Sequence, residues 1–93
     1  MPKLNPLLHQ ELRLSIISFL ATIDSADFNK LMAVTKASKG NLSVQISKLK
    51  AAGYVNVKKT FKNNYPHTSC AITKKGQLAL SEYVENLKQL LNI

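Results

Sequence analysis

Asn41 and Gln45 stand four residues apart, about one turn of a helix, and each ends in a carboxamide that both donates and accepts hydrogen bonds. In the DNA major groove adenine presents an acceptor beside a donor, so either amide has the groups to pair with it bidentately. Val44, between them, has apolar surface for a thymine methyl. Lys39 and Lys48 have the charge and reach for guanine or phosphate. Gly40, Ser43 and Ser47 complete a run of short side chains that lets a helix approach base edges. The candidates for base readout are therefore Lys39, Gly40, Asn41, Ser43, Val44, Gln45 and Ser47.

Charge distribution points to the same partner. From Phe28 to Ser81 the chain carries ten lysines and no aspartate or glutamate; its five acids all lie outside that stretch. The formal net charge is +8. A one-sign field repels itself unless a partner neutralises it, and a phosphate backbone does so with release of condensed counterions. Lys36, Ser38, Lys48, Lys58, Lys59, Lys62, Asn63, Asn64, Tyr65 and His67 are the candidates for contacts to that backbone. A solvated helix face and a lysine-guarded edge hairpin account for part of the pattern. They do not account for the missing acids.

These side chains need elements to carry them. Asn5 followed by Pro6 has the form of an N-cap and first helical residue, so a helix is predicted over 6–22. Its apolar surface is wider than one small core covers, which suits a central helix or one packed on a second subunit. Residues 24–27 form a polar break, followed by a short helix over 27–34 and a turn over 35–39. Ser38 is placed to cap a third helix running to about residue 52. Leu42, Ile46 and Leu49 are its inward face, and Gly53 ends it. Strand-like composition follows over 54–62, then a turn at 63–66 and a returning strand over 67–73. Thr73 caps a last helix over 74–92, striped by Leu80, Val84, Leu87 and Leu91. The expected fold class is mostly α with a small β-hairpin, in the order helix, helix, helix, strand, strand, helix. The second and third helices have the outline of a helix-turn-helix, and a basic hairpin after them, over about 58–68, has the place of a wing.

Ninety-three residues are expected to make one domain over 1–93. A chain of this size buries roughly 60–65% of its unfolded surface, enough for one modest core. The longest uncharged apolar run, Leu14 to Ile23, is about half of what a membrane span needs, and no secretory signal is recognisable at the N-terminus. Neither a membrane nor an export route is expected, and a cytoplasmic location fits a chain whose single cysteine, Cys70, allows no internal disulfide.

The run from Ser38 to Val55, with its Leu-Ser-x-x-Ile-x-x-Leu-x-x-Ala-Gly-Tyr-Val pattern, resembles the recognition helix and first wing strand of the ArsR/MarR-like winged-helix regulators. The opening Leu4-Asn5-Pro6-Leu7-Leu8-His9 and Arg13-Leu14, with Thr60-Phe61, Pro66-His67-Thr68 and Ile72-Thr73-Lys74-Lys75-Gly76, are similar to a compact single-domain branch of that superfamily. The resemblance covers almost the whole chain. It implies a transcription regulator with a winged helix-turn-helix fold. It also implies a homodimer joined through first and last helices, with Leu7, Leu8, Leu14, Ile17, Tyr83, Leu87, Leu90 and Leu91 as candidate interface residues. Relatives often carry arginine near the wing tip, where this chain has Tyr65, Pro66 and His67; its one arginine is Arg13.

Other chemistries find little support. His9, His67 and Cys70 have no metal-ligand spacing. Cys70 reads as a small buried residue and His9 as a packing or interface residue. No glycine-rich phosphate loop, nucleophile elbow or carboxylate pair is present in the sequence, so no cofactor and no enzymatic activity are expected. The expected function is sequence-specific binding of double-stranded DNA by a dimer on a two-fold site. A protein-docking winged helix and a sequence-indifferent nucleic-acid binder remain as alternatives.

Overall fold

The computed structural model describes residues 3–93, with Lys62 described by its backbone alone. The elements are α1 (Glu11–Leu20), β1 (Ala26–Asp27), α2 (Phe28–Thr35), α3 (Lys39–Ala51), β2 (Val55–Lys62), β3 (Tyr65–Ile72) and α4 (Lys74–Leu91). The strands make one antiparallel sheet in the order β1-β3-β2. The expected order is thus present with one addition. Residues 26 and 27, expected as part of a polar break, pair with Cys70 and Ser69 as a third strand. Two residues are too few for a period-two pattern to register, and long-range pairing with β3 creates this strand.

The first helix is shorter than expected. Asn5 does cap a turn: its Oδ1 accepts from the N–H groups of Leu7 at 2.9 Å and Leu8 at 3.4 Å. That turn stops at His9, and Gln10 is extended (φ −149°, ψ 130°). Gln10 Oε1 then accepts from Arg13 N at 2.8 Å and caps α1 afresh. Arg13 Nε donates to Leu7 O at 2.6 Å, occupying the carbonyl that a continuous helix would have offered to residue 11.

Side-chain caps also start the other helices. Asp27 Oδ1 accepts from Lys30 N, and Ser38 Oγ accepts from Asn41 N. At the close of α3, Gly53 takes φ +80°, where a side chain would be strained. Thr73 Oγ1 donates to Gly53 O at 2.6 Å and accepts from Gly76 N at 2.9 Å, so one hydroxyl ties the end of α3 to the start of α4. A Cβ on Gly76 would lie 2.2 Å from Tyr54 O, and only glycine lets the first turn of α4 approach the backbone just before β2.

One core holds these elements. Ile16, Ile17 and Leu20 of α1 meet Leu31 of α2, Leu42, Ile46 and Leu49 of α3, and Val55 and Cys70 of the sheet, all buried. Leu8 and Tyr83 belong to it as well. Three residues expected at a subunit interface are corrected here. Leu8, Ile17 and Tyr83 are buried within the chain and have no surface left for a second copy, and the Tyr83 hydroxyl is hydrogen-bonded to His9 Nδ1 at 2.8 Å. Leu7, Leu14 and Leu87 are half-buried against the same core, whereas Leu90 and Leu91 are exposed. Among the described residues no helix is long and apolar enough to cross a membrane.

Candidate nucleic-acid interface

Helix α3 buries Leu42, Ile46 and Leu49, as its spacing predicts, and leaves Lys39, Gly40, Asn41, Ser43, Val44, Ser47 and Lys48 exposed. Gln45 is the correction. It is only 9% exposed, its Oε1 accepts from Arg13 Nη1, and its Nε2 donates to Asn41 Oδ1 at 3.1 Å. An amide satisfied at both ends inside the domain is not available to a base. Arg13, the one arginine of the sequence, is the inward partner that satisfies the buried Gln45 oxygen.

The exposed residues of α3 divide between two flanks. Lys39, Ser43, Ser47 and Lys50 line a groove of about 490 Å³ whose other wall is Val57 and Lys59 of β2 with Pro66 and Thr68 of β3. Phe28 and Asn29 at the start of α2 close one end. Asp27 is the one acid on its lining, and that carboxylate is engaged in capping α2. On the opposite flank Asn41 borders a smaller hollow of about 290 Å³ with Gln10, Glu11, Ser15 and Thr35. Lys50, Asn29 and Pro66 were not among the expected site residues. Lys50 sits four positions after Ile46 and seven after Ser43, so helical spacing alone could have placed it beside Ser43 and Ser47.

The hairpin register sorts its side chains. Val57 faces Cys70, Lys59 faces Thr68 and Phe61 faces Pro66; Val57, Lys59, Pro66 and Thr68 line the groove beside α3, and strand alternation gives Phe61 the same side. Lys58 faces Ser69 and Thr60 faces His67 at the alternate positions, and His67 also contributes to the groove lining. Lys58 and Lys59, both expected to contact the DNA backbone, therefore point to opposite faces of the wing. The four-residue turn expected at 63–66 is a two-residue one: Asn63 (φ 53°) and Asn64 (φ 65°) are both left-handed, the geometry of a type I′ turn, and asparagine tolerates it. Tyr65 and Pro66 consequently belong to β3. The two-residue turn leaves Phe61 80% and Tyr65 71% exposed near the tip. Phe61 was not foreseen as a site residue, although continuing the alternation from Val55 and Val57 reaches it.

The remaining expected backbone contacts are scattered around this surface. Lys36 is exposed and left-handed (φ 59°) in the turn between α2 and α3. Ser38 spends its oxygen on the cap of α3, Lys48 is exposed on the α1 side of that helix, and His67 is half-buried on β3. The Lys62 side chain lies outside the described residues. Cys70 is buried and burial pushes its thiol pKa up, which keeps it protonated and apolar in character. No group of three or more His, Cys, Asp or Glu that could hold a metal occurs among the described residues.

Helices α2 and α3 joined by a three-residue turn, followed by a lysine-bearing two-stranded hairpin, define a winged helix-turn-helix protein. Residues 12–91 match the family described as winged helix DNA-binding domain, and the chain belongs to that family. An uncharacterized protein of Methanocaldococcus jannaschii is 31% identical over 78 residues, covering 84% of this chain and 85% of that one. The structure of a transcriptional regulator homologue from Pyrococcus horikoshii OT3 superposes with a TM-score of 0.86 at 28% identity, covering 92% of this chain and 85% of the other. Bacillus subtilis PadR, solved in complex with operator DNA, shares the fold at 14% identity with a TM-score of 0.71, over 81% of this chain and 48% of PadR.

Proposed function

We propose that this protein is a sequence-specific, double-stranded-DNA-binding transcriptional regulator of the ArsR/MarR-like kind, contained in one domain and acting as a homodimer in the cytoplasm. The carrying observation is the groove between α3 and the wing, where Lys39, Lys50 and Lys59 converge around Ser43 and Ser47. Three cations beside small polar side chains suit a duplex, with phosphates taken by lysine and base edges approached by α3. PadR, of the same fold, was solved in complex with operator DNA, which supports a DNA-binding reading of this fold. Phe61 and Pro66 extend the groove-facing side of the wing toward the backbone or minor groove.

The dimer rests on α4. Leu90, Leu91 and Ile93 are exposed near its end, and exposed Val84 lies about two turns back. An exposed apolar cluster of this kind marks an interaction surface. A second copy is the occupant proposed, with half-buried Leu7, Leu14 and Leu87 at its margin. Two copies related by a two-fold axis would place their recognition helices on half-sites about one helical turn apart.

Polarisation titrations of labelled duplex at rising salt test the DNA reading. A steep linear fall of log affinity with log salt is expected, and an affinity indifferent to salt sinks it. Sedimentation of the double variant L90S/L91S tests the dimer: dissociation to a folded monomer is expected. An unchanged sedimentation coefficient in both wild type and variant would place the interface elsewhere.

A further inference from the structure

We propose that Arg13, acting through Gln45, fixes the direction of the Asn41 amide, so that Asn41 presents its amino group to a guanine edge. This inference rests on the DNA-binding reading above and assigns a base class to an exposed residue on the flank of α3 opposite the groove. Three side chains from two helices form a chain of hydrogen bonds. Arg13 is anchored by Nε donating to Leu7 O at 2.6 Å, and its Nη1 donates to Gln45 Oε1. Gln45 Nε2 donates in turn to Asn41 Oδ1 at 3.1 Å.

The direction of this chain follows from its first member. A guanidinium has donors only, so the Gln45 atom that meets it must be the oxygen. Turning that amide over would set donor against donor in a site where Gln45 is 9% exposed and water is scarce. The Gln45 nitrogen must then face Asn41, and an oxygen is the only end of Asn41 that can receive it. The two ends of a carboxamide are nearly alike in shape, and here a single cation decides between them at both positions.

Asn41 is exposed, so the far side of its amide is available to a ligand. Its oxygen already accepts one bond, while its Nδ2 donates to no partner among the described residues. A group with two free donors and a part-used acceptor fits guanine, whose N7 and O6 both accept, better than adenine, which pairs an acceptor with a donor. Gln45, first expected as a second base reader, becomes a positioning residue, and Arg13 a positioning residue behind it.

The test replaces the middle link. In Gln45→Glu a carboxylate of nearly the same shape still accepts from Arg13 and has no proton for Asn41. The Asn41 amide must then turn and donate, which leaves its oxygen outward, facing bases with an exocyclic amine. Duplexes carrying each base pair at each position of a selected site would be titrated against wild type and the variants N41A, Q45E and Q45L. Wild type is expected to favour guanine about tenfold or more at one position. N41A should flatten that position. Q45E should move its preference to cytosine or adenine, beyond any uniform weakening caused by the added charge. Q45L, which fills the space without orienting Asn41, should flatten the preference while a thermal melt reports a folded protein. Should Q45E not fold, Q45L decides alone: a retained guanine preference overturns the proposal. Wild type that selects a sequence while N41A or Q45E keeps the same guanine preference also overturns it. Wild type that binds no duplex overturns both this proposal and the DNA-binding reading.

Discussion

The two flanks of α3 are built on opposite principles. On the wing side Lys39 and Lys50 are exposed on a wide groove facing Lys59; the one acid among its described lining residues, Asp27, caps α2. On the α1 side Asn41 is the last member of a chain that begins at a carbonyl, passes through a guanidinium and runs through a buried amide. Mobile surface cations act almost independently and tolerate exchange, because each meets a phosphate on its own. Linked polar groups act as a unit, because each orients the next. The first arrangement suits strength of binding and the second suits choice of sequence.

The triple variant K39Q/K50Q/K59Q should have the largest effect. Three lost phosphate contacts lower the salt slope by about 2.7 and weaken binding at moderate salt on the order of a hundredfold, with the urea midpoint unchanged. A slope close to that of wild type would break the comparison on its charged side. Next, Arg13→Ala leaves Leu7 O and Gln45 Oε1 without their donor, and unfolding in urea should reveal a loss of about 1–3 kcal/mol. If stability were untouched, the linked flank would be no more than a set of surface contacts.

Smaller effects sharpen the picture. No atom lies within 4 Å of a Cβ added at Gly40, so Gly40→Ala should stabilise α3 by about 0.5–1 kcal/mol. The same methyl should weaken DNA binding if α3 approaches a base edge closely; a gain in both quantities would take Gly40 off the contact surface. Smallest is the contrast between Lys58→Gln and Lys59→Gln. Lys59, on the α3 side, should lower the salt slope by about 0.9, and Lys58, on the other face, by less. Equal losses would mean that the hairpin meets phosphate with both faces.

The parts legible in the sequence are those governed by near neighbours. Ser38 as the cap of α3, Gly53 at its end, the inward trio Leu42, Ile46 and Leu49, and Thr73 at the head of α4 all follow from local spacing and cap chemistry. What escaped depends on partners far along the chain. Gln45 turns inward because Arg13, thirty-two positions earlier, supplies a polar partner, and no periodicity signals that. The break at Gln10 likewise depends on Arg13 reaching back to Leu7. β1 exists because β3 comes to lie beside it. The separation of Lys58 from Lys59 was legible in principle, since neighbours on a strand always face opposite ways; the two were grouped by charge, and the pleat ranks above charge in deciding where a side chain points.

The two left-handed asparagines at the wing tip also bear on how such a hairpin can change. A connection this short has no slack to absorb an insertion or deletion. A residue added to one strand alone must bulge out or carry the tip aromatics over to the reverse side. Only matched additions, one in each strand, keep the ladder intact, and each such step exchanges the sides on which new tip residues emerge. The length of the wing and the aspect of its outermost aromatic are therefore inherited together.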